Sequence, residues 1–368
     1  MVLTAGVTVA IPVRDGGALL ARTLAALAHQ SVEHELLVCD SGSRDGSAAL
    51  ARLHGARVLE IAPARFSHGG TRNLLMSEAH GEHVALLTQD AEPVDEQWLE
   101  RLLGGFELER DVGIVYGPYR PRADASAAVR IELERWFRSL SPDGTPRVER
   151  LAASGTGESA AGAGGTERRA GPASAADLAF PAEPASLAEL IGRRGFFTDA
   201  NACIARRAWE RVPFRDVAYA EDRVLAIDML RAGYAKAFVP GAAVLHSHNY
   251  SSVQQLCRSF DEGRGLREVY GWREPASPRR LLRGLRGELG ATRRELSAAG
   301  VESWGRPATL ADVTRHHVLR STGALLGSRA RALPAWARRA LSLEGRASFA
   351  PLDLDNPQPQ STQDEDRP

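Results

Sequence analysis

The sequence predicts an α/β fold in which a mostly parallel sheet is flanked by helices and followed by a helical C-terminal extension. In the first third of the chain, short apolar runs alternate with segments of helical spacing. Such alternation implies right-handed crossovers and a buried parallel sheet. Beyond His248 the chain reads instead as successive helices, one of them rich in Arg with leucines on one side.

Each predicted element has a local signal. The strands are short apolar runs such as VTVAIPV, and the helices between them carry leucine and alanine at helical spacing. We predict strands at Val7–Val13, Glu35–Cys39, Arg57–Ile61 and His83–Thr88. We predict helices at about Ala18–His29, Gly46–His54 and Gly70–Ala79.

The composition is that of an ordinary globular protein. A chain of 368 residues is long enough for one large α/β domain with additions, or for two modest domains. Hydrophobic residues make up 43% and charged residues 25%, which argues against a disordered, collagenous or purely coiled-coil chain. The 46 basic residues balance 46 acidic ones, so the net charge gives no case for a nucleic-acid partner.

The cysteine and apolar patterns indicate a reducing aqueous compartment. Cys39, Cys203 and Cys257 lack zinc-ligand or redox spacing, so neither a disulfide framework nor a cysteine metal site is predicted. No charged leader precedes the first strand, and no apolar run reaches about 18 residues. We therefore expect no signal peptide, no membrane-spanning helix and a cytoplasmic location.

Polar residues follow three of the four predicted strands. They are Arg14 and Asp15, Asp40 and Ser41, and Gln89 and Asp90. Ligands of such sheets bind beyond the carboxyl ends of the strands, so three aspartates at one rim favour a binding site. A single aspartate there can instead cap a helix or form a turn, and this interpretation suits Asp45 at least as well.

A change of composition divides the chain. From Ser141 to about Pro184 the residues are mainly Ala, Gly, Ser, Pro and Glu, which is typical of a mobile insertion. The stretch GTGESAAG within it imitates a dinucleotide-binding motif, but no strand precedes it. We predict a main domain at 1–255 that contains this insertion, a helical region at 256–355 and a disordered tail at 356–368.

Two further stretches carry functional residue types. FSHGGTRN, residues 66–73, combines closely approachable glycine backbone with a fixed cation and an amide, which suits a phosphorylated ligand. In AEDRVLAIDML, Glu221 and Asp222 begin a helix. Acidic residues in a first turn are also favoured by the helix dipole, so a purely structural interpretation of this pair stays open.

Taken together, these stretches resemble a known family. Six motifs in order carry the resemblance: IPVRDGG, VCDSGSRDGS, FSHGGTRN, LLTQDAEP, AEDRVLAIDMLRAGY and VLHSHNYS. They resemble the family 2 glycosyltransferases of the Rossmann-like GT-A fold and, within that family, the bacterial rhamnosyltransferases. The resemblance runs from about Val7 to Ser251. It implies inverting transfer of a sugar from a nucleoside diphosphate donor to an acceptor hydroxyl.

The resemblance implies a divalent cation, Mg²⁺ or Mn²⁺, at the donor phosphates. Asp90 matches the family's metal-binding aspartate, and hard cations prefer oxygen ligands. The family's usual Asp-x-Asp motif reads Thr88, Gln89, Asp90 here, so Thr88 replaces the first carboxylate. A late histidine is a further ligand in several such enzymes, and we expect His248 rather than His246 in that place.

The resemblance also places the donor. Asp40 matches the position that binds the pyrimidine, and Asp15 faces the same pocket. Gly69 and Gly70 allow close approach, while Arg72 offers a forked donor either to phosphate or to an aspartate such as Asp90. The expected nucleotide-sugar-binding set is Pro12, Arg14, Asp15, Asp40, Ser41, Gly70, Arg72, Asn73 and Gln89.

An inverting transfer needs one base beside the acceptor hydroxyl. The resemblance gives that catalytic role to Asp222, with Glu221 as the second candidate. Asp199 and Asn201, in TDANACIARR, match a segment that lines the acceptor side.

Other functions fit less well. A nucleotidyltransferase would carry its Gly-rich loop after the first strand with supporting lysines, whereas Lys236 is the only lysine in this chain. A Rossmann dehydrogenase would show its fingerprint after the first strand, and none is present. A catalytically silent glycan- or nucleotide-binding scaffold on the same fold stays open as the alternative.

The resemblance also suggests the substrates. The expected donor is dTDP-rhamnose first and a UDP-linked hexose second, and the expected acceptor belongs to a cell-surface polysaccharide or glycolipid. The Arg-rich stretch from Pro278 to Leu296 would rest on an anionic membrane that holds a lipid-linked acceptor, or else form the solvated face of a packed helix. We therefore expect a cytoplasmic protein that can make peripheral contact with the inner face of the plasma membrane.

Overall fold

A computed structural model of the chain describes residues 6–151, 195–217, 219–298 and 307–343. Most of the predicted insertion, including the GTGESAAG stretch, lies outside the described residues. The predicted tail at 356–368 lies outside them as well.

The strands form one large and one small sheet. Their bounds are β1 Val7–Val13, β2 Glu35–Asp40, β3 Arg57–Glu60, β4 His83–Leu87, β5 Glu92–Pro93, β6 Val112–Tyr116, β7 Tyr119–Arg120, β8 Arg147–Glu149, β9 Asn201–Ala205, β10 Ala235–Phe238 and β11 Val244–Leu245. The large sheet has the order β3-β2-β1-β4-β9-β6-β10-β8, and the small sheet the order β5-β11-β7. The four strands predicted in the first third all form.

Helices connect and cover the sheet. Their bounds are α1 Gly17–Leu27, α2 Ser47–Leu53, α3 His68–Glu78, α4 Trp98–Gly104, α5 Ala127–Leu140, α6 Arg206–Trp209, α7 Glu221–Arg231, α8 Ser252–Tyr270, α9 Pro278–Ala298, α10 Pro307–Gly327 and α11 Ala335–Leu341. The predicted helical C-terminal extension corresponds to α8 through α11. Among the described residues, no helix is both long and apolar enough to cross a membrane.

The sheet is mostly parallel, as predicted, with two exceptions. The strands β3, β2, β1 and β4 run parallel to one another, and β6 runs parallel to β10. The strand β9 is inserted antiparallel between β4 and β6, and β8 pairs antiparallel with β10. Every residue of β9 is buried, so its apolar sequence shows that it lies inside the sheet but not in which direction it runs.

The strand order creates a crevice beside β1. From β1 the chain proceeds outward to β2 and β3, and β4 then returns to the other side of β1. At such a reversal the loops after the two central strands separate, which leaves room for a ligand at their carboxyl ends.

The core lies on both faces of the sheet because side chains alternate along each strand. On one face, Ala10 and Leu37 pack with Leu75 of α3 and Leu225 of α7. On the other face, the intervening strand residues pack against α1 and α4, among them Val9, Val38, Leu24 and Leu102. Both faces are covered by helices, as an α/β fold requires.

The sheet extends into the beginning of the predicted insertion. The edge strand β8 lies there, and Lys236 of β10 holds it: Lys236 Nζ lies 2.9 Å from Glu149 Oε2 and donates to the Phe196 carbonyl at 2.6 Å. The lysine is 1% exposed. Burial lowers the pKa of Lys236, and the nearby Glu149 charge opposes that shift.

The C-terminal helices pack closely on one another and on α5. The helices α8 and α10 approach so near that a Cβ added at Gly263 would lie 2.5 Å from the Ala324 carbonyl oxygen. The helix α10 also reaches α5, where His316 Nε2 lies 2.6 Å from Glu132 Oε2. Elements from both parts of the chain therefore meet at one surface.

Candidate active site

A cleft of about 770 Å³ opens at the carboxyl ends of β1 and β4, where the strand order predicts a ligand. Its walls include Arg14 after β1, Asp90 after β4 and Asp222 at the start of α7. Residues of α8 and α10, such as Arg258 and Arg320, also line it. The volume suits a ligand of nucleotide-sugar size, since small-molecule sites span roughly 300–1,000 Å³.

Three side chains that line the cleft could hold a metal ion. Asp90, His246 and His248 offer ligand atoms that all lie within 4.8 Å of one another. His246 Nδ1 lies 3.5 Å from Asp90 Oδ1, and His248 Nε2 lies 3.6 Å from Asp90 Oδ2. The two histidines follow β11, while Asp90 follows β4.

The chemistry of this triad fits a divalent cation. Burial lowers the pKa of His246 to about 4, so its imidazole is neutral and has a free lone pair. His246 Nδ1 is buried and, among the described residues, has no hydrogen-bond partner. The structure thus brings the predicted ligands Asp90 and His248 together and adds His246, which the sequence ranked below His248.

Gln89 and Asp15 brace the rim of the cleft. The Gln89 side chain accepts from the Arg14 N–H at 2.8 Å and donates to the Arg14 carbonyl at 3.1 Å, which ties the end of β4 to the end of β1. Asp15 Oδ1 accepts from the Arg44 N–H at 2.7 Å, and its own N–H donates to Ser43 Oγ at 2.9 Å. Both residues shape the loops, and Gln89 also lines the cleft.

Asp40 combines a bound and an unbound oxygen. Its Oδ1 accepts from the N–H groups of Gly42 and Ser43 at 2.9 Å each. Its Oδ2 is buried and has no hydrogen-bond partner in the part of the chain that the structure describes. Such an acceptor is costly unless a ligand supplies a donor. Its neighbours Pro12 and Ser41 line the cleft.

Arg72 also lines the cleft, where it is buried in a cluster of acids. Its Nη2 donates to Asp199 Oδ1 at 2.8 Å, its Nε pairs with the second oxygen of Asp199, and its Nη1 lies 3.0 Å from Glu221 Oε1. From the sequence, two partners of Arg72 stayed open: a phosphate, or an aspartate such as Asp90. The structure shows carboxylate partners, and they are Asp199 and Glu221.

Asp222 is next to this cluster on the first turn of α7. Its Oδ1 accepts from the Arg223 N–H at 2.7 Å. Burial, followed by the charge of Asp199, raises the pKa of Asp222 to about 6. The residue before the helix, Ala220, has the left-handed φ of 60°, which is strained for a residue with a Cβ.

Three predicted site residues have their polar groups in the framework rather than in the cleft. Asn73 bonds the Phe214 backbone and Trp209 Nε1, and Asn201 bonds Trp98 Nε1 and two backbone carbonyls. The Gly70 N–H donates to Ser67 Oγ at the start of α3. The two asparagines connect distant segments, so no local pattern distinguishes them from ligand-binding residues, whereas the Gly70 bond is a local cap of α3.

Sequence reasoning missed the cleft residues of the C-terminal region. Arg258 of α8, His316 and Arg320 of α10, and Glu132 of α5 all line the cleft. The Arg320 guanidinium pairs with Glu132. No residue spacing signalled them, because they reach the cleft only through the packing of the C-terminal helices. His68, beside Glu221, was visible in FSHGGTRN but received no role.

The fold and the cleft can now be compared with known proteins. Residues 8–161 match the family model described as Glycosyl transferase family 2. Over these residues, which include the strands β1 and β4 that border the cleft, the chain is similar to the family 2 glycosyltransferases.

Curated relatives agree with this class. The chain is 28% identical to the O-antigen chain rhamnosyltransferase RfbN of Salmonella typhimurium over 264 residues, which cover 70% of this chain and 71% of that protein. It is also 28% identical to the O-antigen chain rhamnosyltransferase WbaN of Salmonella anatum over 233 residues, covering 62% of this chain and 61% of that protein.

A solved structure supports the fold. The mannosyltransferase PcManGT from Pyrobaculum calidifontis, in complex with GDP-Man and Mn²⁺, superposes with a TM-score of 0.52 at 17% sequence identity. The superposition covers 89% of this chain and 86% of that protein.

Proposed function

We propose that the protein is an inverting glycosyltransferase that moves a sugar from a nucleoside diphosphate donor to a hydroxyl of a glycan or glycolipid acceptor. The observation that carries the proposal is the placement of two groups in one cleft. A metal-binding triad lies at the carboxyl end of β4, and the carboxylate of Asp222 lines the same space. The donor diphosphate and the acceptor hydroxyl need these two functions in one site.

The nucleoside is proposed to bind beside β1 and β2. The buried Asp40 Oδ2 lacks a donor among the described residues, and the N–H of a pyrimidine ring would satisfy it. Thymidine and uridine both carry that group. The two rhamnosyltransferase relatives favour dTDP-rhamnose as the donor, with a UDP-linked hexose second.

The triad is proposed to hold Mn²⁺ or Mg²⁺ through Asp90, His246 and His248. The bound cation would neutralise charge that builds up on the leaving diphosphate. Two imidazoles beside a single carboxylate suit Mn²⁺ better than Mg²⁺, which strongly prefers oxygen ligands. The Mn²⁺ in the mannosyltransferase complex supports the same preference.

Asp222 is proposed as the base that takes the proton of the acceptor hydroxyl. A base works best when its pKa lies near the working pH, and burial raises the pKa of Asp222 to about 6. Glu221 is the weaker candidate because its carboxylate is already paired with Arg72.

The acceptor is proposed to be a lipid-linked or polymeric glycan of the cell envelope, reached at the inner face of the membrane. The O-antigen relatives support this acceptor class. The exposed face of α9 supports the location: its first ten residues hold four arginines and no acid, and Leu281 and Leu282 are 38% and 54% exposed.

The proposal is tested by calorimetric titration with dTDP, UDP, GDP and NAD, each with and without Mn²⁺. We expect Mn²⁺-dependent binding of dTDP or UDP, and we expect Asp90→Ala to weaken it at least tenfold because the site loses a metal ligand. Asp143→Ala is the matched control, because Asp143 is exposed and lies outside the cleft.

Two results would count against the proposal. Absence of nucleoside diphosphate binding under every condition would favour the silent scaffold. Equal loss of binding in both aspartate variants would show that the effect is not specific to the triad.

A further inference from the structure

The proposed metal ligands lie at the ends of strands of the small sheet. Asp90 lies two residues before β5, and His246 directly follows β11. In this sheet Leu245 pairs with Glu92 of β5 on one side and with Arg120 of β7 on the other. The His246 N–H then donates to the Arg120 carbonyl at 3.0 Å. The small sheet therefore brings the segment that carries Asp90 close to the segment that carries the two histidines.

Arg122, two residues after β7, connects these two segments. Its N–H donates to Ser247 Oγ at 3.1 Å, and Ser247 stands between the two histidines in the chain. Its Nη2 donates to the Asp90 carbonyl, and its Nη1 lies 3.1 Å from Glu92 Oε2. Arg122 is 8% exposed. One buried residue therefore bonds both the histidine segment and the aspartate segment of the triad.

A second arginine shares the same carboxylate but not the triad. Arg22 Nε of α1 lies 3.0 Å from Glu92 Oε2, and its side chain is 57% exposed against 9% for Arg122. No hydrogen bond or ion pair of Arg22 with the triad is found among the described residues. The charge of a nearby arginine would repel a divalent cation, so any benefit of Arg122 to metal binding must come from geometry.

We propose that Arg122 is a positioning residue that holds Asp90 and the two histidines in one metal-binding geometry. Its forked guanidinium fixes the Asp90 backbone relative to Glu92, and its N–H fixes Ser247. Arg122 acts through the ligands and need not touch the cation or the substrate. The inference rests on the proposed function, in which the triad binds the cation.

The first test is the Mn²⁺ affinity of Arg122→Gln, measured without donor from the electron paramagnetic resonance signal of free Mn²⁺. We expect the Kd for Mn²⁺ to rise about tenfold, because groups that orient metal ligands from outside commonly change metal affinity by 10–100-fold when they are removed. Loss of a positive charge alone would instead tighten binding. Unchanged or tighter binding would overturn the inference.

Arg22→Gln and Arg122→Lys are the controls. Arg22→Gln removes an arginine from the same carboxylate, so Mn²⁺ affinity should stay within about twofold of the wild type, as expected for an exposed ion pair. Arg122→Lys keeps the charge but loses the fork, so it should also weaken Mn²⁺ binding. Equal losses in Arg122→Gln and Arg22→Gln would overturn the inference, because the effect would then belong to Glu92.

Ser247→Ala tests the same link if loss of the buried arginine unfolds the protein. This variant removes the acceptor of the Arg122 N–H and leaves the guanidinium contacts with Asp90 and Glu92 in place. We expect Mn²⁺ binding to weaken about three- to tenfold, as for the loss of one hydrogen bond. Wild-type affinity in Ser247→Ala would overturn the inference.

Hydrogen exchange in EDTA separates the inference from the proposed function. Residues 88–93 and 246–250 should exchange faster in Arg122→Gln than in the wild type, whereas Arg22→Gln should leave them unchanged. Faster exchange in Arg122→Gln, together with a wild type that binds no Mn²⁺, would retain the positioning role and reject the proposed metal site. Unchanged exchange and unchanged affinity in Arg122→Gln, together with a wild type that binds Mn²⁺, would retain the metal site and overturn the inference.

Discussion

Arg72 shows that a sequence motif can predict the chemistry of a side chain without predicting its partners. The sequence FSHGGTRN predicts a fixed cation with forked donors, and the structure contains one. Its partners Asp199 and Glu221 come from segments more than a hundred residues further along the chain, and no local pattern gives that distance. The chemistry of the residue was therefore predictable, and its partners were not.

The positions of single residues at the carboxyl ends of strands were predictable from the sequence. Asp40 ends β2 and Asp90 follows β4, and the parallel sheet brings those ends to one rim. Asn201 also belongs to a strand, but its amide is used up by Trp98 and two carbonyls inside the fold. An asparagine amide can bond the protein interior or a ligand equally well, so the residue type alone does not tell which of the two it bonds.

Ala220 gives a test of backbone strain beside the proposed base. Its left-handed conformation costs an alanine about 1–2 kcal/mol, whereas glycine adopts it freely. We expect Ala220→Gly to raise the free energy of unfolding by about 0.5–1 kcal/mol, after the added flexibility of the unfolded chain is subtracted. Chemical denaturation at pH 7 measures this change.

Ala232→Gly is the control for the same substitution at an ordinary conformation. Ala232 ends α7 with a right-handed φ of −70°, so glycine there should lower stability by about 0.5–1 kcal/mol. Destabilisation by both substitutions would show that the backbone before α7 is not strained.

At the scale of elements, the first third of the chain was predictable because each strand and helix carries its own periodic signal. The direction of β9 was not predictable, since it depends on pairing with β4 and β6 on both sides. The short strand β8 lies in a stretch without apolar periodicity, and Lys236 of β10 holds it in place.

The basic face of α9 predicts binding to anionic lipid. Arg279, Arg280 and Arg283 are exposed beside Leu281 and Leu282, which gives charge and apolar contact on one helix. Each arginine near a charged bilayer contributes about 1 kcal/mol, so reversing three charges should weaken binding to vesicles of phosphatidylglycerol and phosphatidylcholine about 100-fold or more. Co-sedimentation at low and high salt measures this.

The matched control reverses Arg52, Arg65 and Arg110, which are exposed arginines elsewhere. This variant has the same net charge as the α9 variant and should keep its vesicle affinity within about threefold. An equal loss of vesicle affinity in both variants would mean that binding depends on net charge and not on the face of α9. Binding to vesicles of pure phosphatidylcholine would contradict an electrostatic contact.

At the scale of the whole molecule, the cleft belongs to both parts of the chain. Elements before α8 supply the triad and Asp222, while α8 and α10 supply further lining residues. Loosening the packing of α8 on α10 should therefore lower the stability of the whole protein. A Cβ added at Gly327 would overlap the Phe260 carbonyl oxygen, so we expect Gly327→Ala to destabilise the protein by about 1–3 kcal/mol in calorimetric unfolding.

Gly287→Ala is the control for that substitution. A Cβ at Gly287 of α9 meets nothing within 4 Å, so alanine there should stabilise the helix by up to about 1 kcal/mol. A loss at Gly327 that appears as a separate early transition would show that the C-terminal helices unfold independently of the main domain.

The burial of Lys236, the only lysine in the chain, has a consequence for the protein's surface chemistry. Every exposed basic side chain that stays charged at neutral pH is a guanidinium, which keeps its charge at any pH a cell experiences. Lysine acetylation therefore has no exposed side chain on which to act. Contacts made by the basic surface can still be regulated by salt, by the anionic partner, or by modification of the arginines or of neighbouring acidic and hydroxyl groups.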